Sequence, residues 1–151
     1  MYSLEIYNYK REKVNLQRED IMLLTMPIST RERSEMIDIT SLVDKEVNKS
    51  GPKDGICFLF VPHTTAGITI NESADPSVKS DMQVMLNKLV PWEASYRHME
   101  GNSAAHIKSS MIGCSVMAII ESGHLKLGTW QGIFFCEFDG PRSRKLHIKF
   151  Q

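Results

Sequence analysis

Apolar residues run without a break from Ile56 to Val61, the pattern of a centrally buried strand, and Gly67 to Asn71 then alternates as a second strand should. The intervening Pro62 to Ala66 reads as a turn that pairs the two. Upstream, Ile21 to Pro27 reads as a strand, and Thr40 or Ser41 starts a helix that runs to about Asn48 and stops at Gly51-Pro52. Asp75-Pro76 is a stronger helix start, with Asp75 at the cap and Pro76 at the first helical position, where its missing N–H leaves no bond unmade. Val78, Met82, Met85, Leu86 and Leu89 follow at one-face spacing until Pro91 ends the helix. The methionines read as core filler rather than a cofactor box, because an unbranched thioether fits irregular gaps.

Farther on, Ser115 to Glu121 reads as a strand that turns at Ser122-Gly123 and returns through Leu125 to Leu127. Ile133 to Phe138 and Lys145 to Phe150 are expected as a closing hairpin joined by Asp139-Gly140-Pro141. No repeat or low-complexity linker divides residues 21–151, so they are expected to form a single α+β domain. Its architecture is a mostly antiparallel, sandwich-like sheet with two or three helices on one face. Helices so few cannot cover both faces, and the other face is expected to meet another subunit. Residues 1–20 are polar apart from the alternating Leu4-Glu5-Ile6-Tyr7-Asn8-Tyr9, and are expected as an N-terminal extension, either an extra edge strand or partly ordered.

A chain of 151 residues with 42% hydrophobic residues can bury one sizeable core. Lys plus Arg equals Asp plus Glu at 18 each, so the basic excess of a nucleic-acid binder is missing and any anion site must be local. Cys57, Cys114 and Cys136 are odd in number, lack CxxC spacing and sit in apolar stretches, which favours buried thiols over a disulfide framework. With no signal-like leader and no apolar run of about 20 residues, a cytoplasmic location away from membranes is expected.

The candidate chemistry gathers around His98 and His106, in Tyr96-Arg97-His98-Met99-Glu100-Gly101-Asn102-Ser103-Ala104-Ala105-His106-Ile107-Lys108. Eight residues of uninterrupted helix would set the imidazoles about 80° apart in azimuth. Gly101-Asn102 instead breaks the segment into a loop carrying His98 and a short helix carrying His106, so the pair converges only if the loop folds back. Spacing alone leaves two surface histidines as an equal reading, since known metal motifs are tighter. His63 lies where the apolar run hands over to a loop, a common place for functional side chains. Gly128-Thr129-Trp130-Gln131-Gly132 can close over a flat ring or serve as a strand bulge. Arg142-Ser143-Arg144 can present two guanidinium groups to phosphate oxygens, or remain solvated. Neither a Walker A loop nor a GxGxxG element is present, so a phosphate would be held by side chains, isolated amides or a cation.

His63-Thr64-Thr65-Ala66-Gly67-Ile68-Thr69-Ile70-Asn71-Glu72, Asp75-Pro76, Tyr96-Arg97-His98, Glu100-Gly101-Asn102, Ala105-His106-Ile107-Lys108 and Leu127-Gly128-Thr129-Trp130-Gln131-Gly132-Ile133 resemble, in order, the motifs of the YjbQ-like family, described as secondary thiamine-phosphate synthases. The resemblance runs from about Met22 to the C-terminus and leaves residues 1–20 outside it. It implies a compact α+β domain that assembles as a homotrimer around a polar, histidine-containing pocket for a small phosphorylated ligand. It further implies joining of a hydroxymethylpyrimidine diphosphate to a thiazole phosphate, with diphosphate leaving. On that reading His63, His98 and His106 hold a divalent metal, zinc or another transition metal, or magnesium brought with the substrate. His63, Lys108 and Glu72 are the expected catalytic residues. Thr64, Thr65, Asn71, Asn102, Trp130, Gln131, Arg142 and Arg144 are the expected substrate contacts. Histidine ligands suit magnesium poorly, and the residues also admit a metal-dependent hydrolase or a non-catalytic trimer that binds a small molecule or a metal.

Overall fold

The computed structural model describes residues 23–151, so the N-terminal extension and the first residues of the strand expected from Ile21 lie outside the described residues. Strands β1 (Leu23–Ser29), β8 (Ser143–Phe150), β3 (Gly55–Phe60), β5 (Ser115–Glu121) and β6 (His124–Lys126) form one antiparallel sheet in that spatial order. A second sheet, also antiparallel, has the order β2 (Glu35–Asp38), β7 (Gln131–Glu137), β4 (Ala66–Glu72). The helices are α1 (Thr40–Ser50), α2 (Pro76–Leu89) and α3 (Ser103–Ile112). The expected α+β class holds, with the sheet divided in two.

Burial explains the division. Ile28, Cys57, Leu59, Ile120, Leu146 and Ile148 of the larger sheet pack against Ile68, Ile133 and Phe135 of the smaller, with Val43 and Val47 of α1 joining the same core. On its other side the smaller sheet turns Met36, Phe134 and Cys136 toward Ala105 of α3 and the partly buried Met82 and Leu86 of α2. The strand buried on both faces is therefore β7, not β3 as its unbroken apolar run suggested. In β3 only alternate residues point inward, and Ile56 and Phe58 are 42% and 37% exposed. The layers run α2 and α3, small sheet, large sheet, and then an outer face that no described element covers.

Two expected pairings are corrected. β3 pairs with β5 and β8 while β4 pairs with β7, so Val61 to Thr65 carries the chain from one sheet to the other instead of closing a hairpin. β7 and β8 likewise belong to different sheets. Turn residues permit a reversal of direction, but a step between sheets about 10 Å apart satisfies the same residues and buries both apolar strands. Cys114 is exposed where a buried thiol was expected, while burial pushes the thiols of Cys57 and Cys136 up to about 12. α2 begins as read, the Asp75 carboxylate accepting from Ser77 N–H at 2.8 Å, yet Met85 and Leu89 face outward at 50% and 63% exposure. Its packed stripe is the narrower Met82–Leu86 row.

Gly113 ends α3 with φ of 96° and its carbonyl accepts from Ile68 N–H of β4 at 3.0 Å, while Cys114 C=O accepts from Val61 N–H at 2.8 Å. The helix is thus stitched to both sheets. A Cβ on Gly67 would stand 2.7 Å from Gly113 O, inside contact distance of a backbone atom that cannot swing away. Gly67→Ala is expected to destabilise the fold by about 1–3 kcal/mol, measured as a lowered midpoint in denaturant unfolding.

Candidate functional site

At the end of the small sheet where Ala66 pairs with Glu137, a carboxylate lies fully buried. Glu137 accepts from Arg144 Nε and Nη2 at 2.7 and 2.5 Å, from Thr30 Oγ1 at 3.0 Å, and from the N–H groups of Phe138 and Asp139 at 3.0 and 2.9 Å. Burial alone would push this carboxyl up, but Arg144 and the Asp139 N–H outweigh it and hold the group below its ordinary range. Arg144 Nη2 also donates to Thr65 Oγ1 at 2.8 Å. Arg144 is therefore no phosphate ligand on the surface: it is 6% exposed, and its Nε and Nη2 are committed inside the fold. An arginine after a Gly-Pro turn reads as solvated until the acid inside Phe134-Phe135-Cys136-Glu137-Phe138 is recognised as needing a partner.

His63 is likewise occupied. The β3 ladder along β8 ends at the Phe60–His147 pair, and His63 Nε2 accepts from the next inward amide, Lys145 N–H, at 2.8 Å. Burial, then the positive charge of Arg144, hold this imidazole below its ordinary value, so it is neutral with its proton on Nδ1. A ring in that state offers no free lone pair to a metal. Among the described residues His63 does not cluster with His98 and His106 as a set of metal ligands.

His98 and His106 do come together. Gly101, at φ of 74°, lets its N–H reach His98 C=O at 3.1 Å, which folds the loop back over α3. The two rings meet edge to face with centroids 5.4 Å apart, and Glu100 Oε2 stands 3.7 Å from His98 Nε2. Asn102, on the same helical face as His106 four residues on, donates Nδ2 to Asp139 Oδ2 at 3.0 Å. Because that carboxylate fixes the amide's orientation, Asn102 Oδ1 is left as a buried acceptor with no donor. Arg142 closes on the same aspartate, its Nη2 at 2.7 Å from Asp139 Oδ2 and its Nε at 2.7 Å from Asp139 C=O. Burial would push the Asp139 carboxyl up, but Asn102 and Arg142 hold it low. Arg142 thereby holds Asp139 through Nε and Nη2, while its side chain stays half exposed.

The remaining expected residues disperse. Thr64 contributes its carbonyl, which accepts from Ser109 Oγ at 2.6 Å. Lys108 lies about 200° around α3 from His106 and is buried under α2 at 1% exposure, donating to Asn87 Oδ1 beside a void of about 10 Å³. Burial pushes its ammonium group down. Asn71, Glu72, Trp130 and Gln131 sit at the opposite end of the small sheet, where Asn71 faces Gly132 and Glu72 faces Gln131. That end is about 20 Å from Ala66 at strand rise. There Gln131 Oε1 closes a turn on Gly128 N–H at 2.8 Å, Asn71 Nδ2 meets Met82 Sδ at 3.0 Å, and Trp130 is 65% exposed. Glu137, Asp139 and Asn87 were missed from the sequence: Thr30, Asn102 and Lys108 reach them from far along the chain, and the nearer Arg144 and Arg142 meet Glu137 and Asp139 only once the chain turns after β7.

Removing the guanidinium leaves a buried charge, so Arg144→Ala is expected to lose about 3–5 kcal/mol of stability in denaturant unfolding. Acid should act on the same region. The carboxyl of Glu137 and the imidazole of His63 both titrate below their ordinary values of 4.5 and 6.5, so each supports the fold above that value and loses its contribution as pH falls. Thermal melts should decline first below about pH 6.5 and again through the carboxylate range, and His63→Gln should flatten the first decline.

The YjbQ-like UPF0047 protein family matches residues 24–151. A UPF0047 protein, YugU, of Bacillus subtilis is 56% identical over 85% of this chain and 98% of its own length, and one of Methanocaldococcus jannaschii is 55% identical over 85% and 93%. A crystal structure of an uncharacterised YjbQ/UPF0047-family protein from Clostridium acetobutylicum superposes with a TM-score of 0.82 at 55% identity, covering 85% of this chain and 99% of that one. A protein of unknown function from Sulfolobus solfataricus gives 0.81 at 34% identity, covering 86% and 96%. These findings overturn the expected thiamine-phosphate synthase activity. The relatives are proteins of uncharacterised function, and among the described residues no three His, Cys, Asp or Glu side chains converge to hold the metal that reaction was to use. What the match over nearly every described residue and the shared fold do establish is kinship: this chain belongs to the YjbQ-like UPF0047 family.

Proposed function

We propose that this chain is one subunit of a homotrimer that binds a divalent transition metal at His98 and His106, with the coordination completed from a neighbouring copy. The single observation that carries the reading is the convergence of those two rings at 5.4 Å. Imidazoles bound to one tetrahedral ion through bonds of about 2.0–2.1 Å place their centroids about 5 Å apart. A donor set of two imidazoles fits zinc and its transition-metal neighbours better than magnesium. Two ligands from one chain do not make a stable site, which is where assembly enters. Asn71, Glu72, Trp130 and Gln131, remote from the histidines within one chain, are then available to a neighbour's pair.

The uncovered outer face of the large sheet supports assembly. Ile56 stands opposite Ile119 and Phe58 opposite Met117, so the four exposed side chains form one contiguous apolar patch. Closed threefold symmetry would let each copy cover the next. A metal held at the histidines would supply Lewis acidity toward an oxygen of a small ligand. Asn102 Oδ1, buried and without a donor, would accept from the hydroxyl, amine or water brought to that position.

Metal analysis of the protein dialysed against zinc should find ion retained by the wild type and lost in His98→Ala and His106→Ala. Light scattering should give three times the chain mass, falling toward monomer in Phe58→Asp/Ile119→Asp. A wild type that retains no metal, or retains it equally in both histidine variants, would sink the metal reading; a monomer mass at micromolar concentration would sink the trimer.

A further inference from the structure

A second cluster lies away from the histidine pair, where the β5–β6 hairpin meets α1. Asp44 and Asn48 are one turn apart on the same face of α1, and His124 opens β6. His124 Nδ1 stands 3.3 Å from Asp44 Oδ2 and 3.0 Å from the Asn48 amide, and that amide is 3.4 Å from Asp44 Oδ2. Three polar atoms thus surround one point.

Within the chain they share one donor. With the amide nitrogen inward and Nδ1 bare, ring and carboxylate both accept from Asn48, whose amide also reaches Asp44 C=O at 3.3 Å; with the amide reversed and Nδ1 protonated, the ring donates to both oxygens. Either arrangement leaves lone pairs side by side on an accessible surface, where the His124 and Asp44 side chains are 62% and 34% exposed. A cation at the centre, with the amide oxygen inward, makes all three contacts favourable. Donors bound at about 2.0–2.1 Å lie about 3.0–3.4 Å from one another around one ion, the separations found here.

The cluster is also held in place without the ion. Asp44 Oδ1 accepts from Leu125 N–H at 2.8 Å, and the hairpin tip is pinned by Ser122 N–H to Asp54 Oδ1 at 3.0 Å and Gly123 N–H to Lys53 C=O at 2.7 Å. Ser122 and Gly123 adopt φ of 55° and 80°, the tight turn that aims His124 back at α1. A groove of about 360 Å³ beside it, lined by Thr40, Ser41, Lys45 and Leu127 among others, leaves room for water or a ligand on the open coordination positions.

We propose that Asp44, Asn48 and His124 form a divalent-cation site, independent of the His98–His106 pair, suited to zinc or manganese by its mixed carboxylate, amide and imidazole donors. The sequence carries it as D-x-x-x-N on a helix and a histidine after a Ser-Gly turn.

Calorimetric titration of the full chain with zinc, after removal of metal by chelator, tests it. His124→Ala should remove one equivalent per chain, and Asn48→Ala should weaken that same equivalent by about tenfold or more, while a His98→Ala/His106→Ala double variant leaves it intact. Asn48 is the discriminating position, because a lone surface imidazole binding zinc would be indifferent to it. Titration of His124→Ala indistinguishable from wild type, or no effect of Asn48→Ala, overturns the proposal. If the only equivalent bound is the one the double variant removes, this site falls and the histidine-pair reading stands. The reverse pattern removes the histidine pair and keeps this site.

Discussion

The buried bond between Glu137 and Arg144 is the constraint on which the rest depends. Glu137 closes β7 in the small sheet and Arg144 is the second residue of β8 in the large one, so their two hydrogen bonds join the sheets at one end. An isolated carboxylate there would be untenable, and the pair becomes acceptable because Thr30, Thr65 and two backbone amides satisfy the remaining capacity. From this anchor the neighbouring geometry follows. Asp139 emerges two residues on and is met by Asn102 and Arg142, which fixes the entry to α3 beside His106. His63, desolvated by burial and under the field of the same arginine, stays neutral and completes the β8 ladder.

The layering has a consequence that the single chain does not resolve internally. α2 and α3 shield the small sheet, the small sheet shields the inner face of the large one, and the outer face carries Ile56, Phe58, Met117 and Ile119 into water. The two halves of the expected pocket are separated along β4 in the same chain. Both features underlie the proposed assembly: one is an exposed apolar surface, the other sets Glu72 and the exposed Trp130 at the end of the small sheet remote from Ala66.

The two histidine clusters differ in how they are built. His98 and His106 meet through a loop folded on Gly101, close to a network of charged groups around Asp139. His124 is aimed by a hairpin pinned on both sides and faces the Asp44 carboxylate and Asn48 amide of α1. The first offers two nitrogen donors and the second a mixed set. Their chemistry is therefore separable by side-chain replacement.

Much of this was legible from sequence. The helix start at Asp75-Pro76, the break at Gly101-Asn102, the strand at Ser115 to Glu121 and its turn at Ser122-Gly123 all depend on local backbone preferences, which neighbours in the chain dictate. The α+β class followed from the same signals. Tertiary structure alone decided which strands pair. An apolar run such as Ile56 to Val61 is equally content in either sheet, and a short connection can reverse within a sheet or step between two. It also decided which polar residues are free. Arg144 and His63 read as available groups because sequence displays a side chain without its partner, and the partners, Glu137 and the Lys145 amide, are brought to them only by the docking of one sheet on the other.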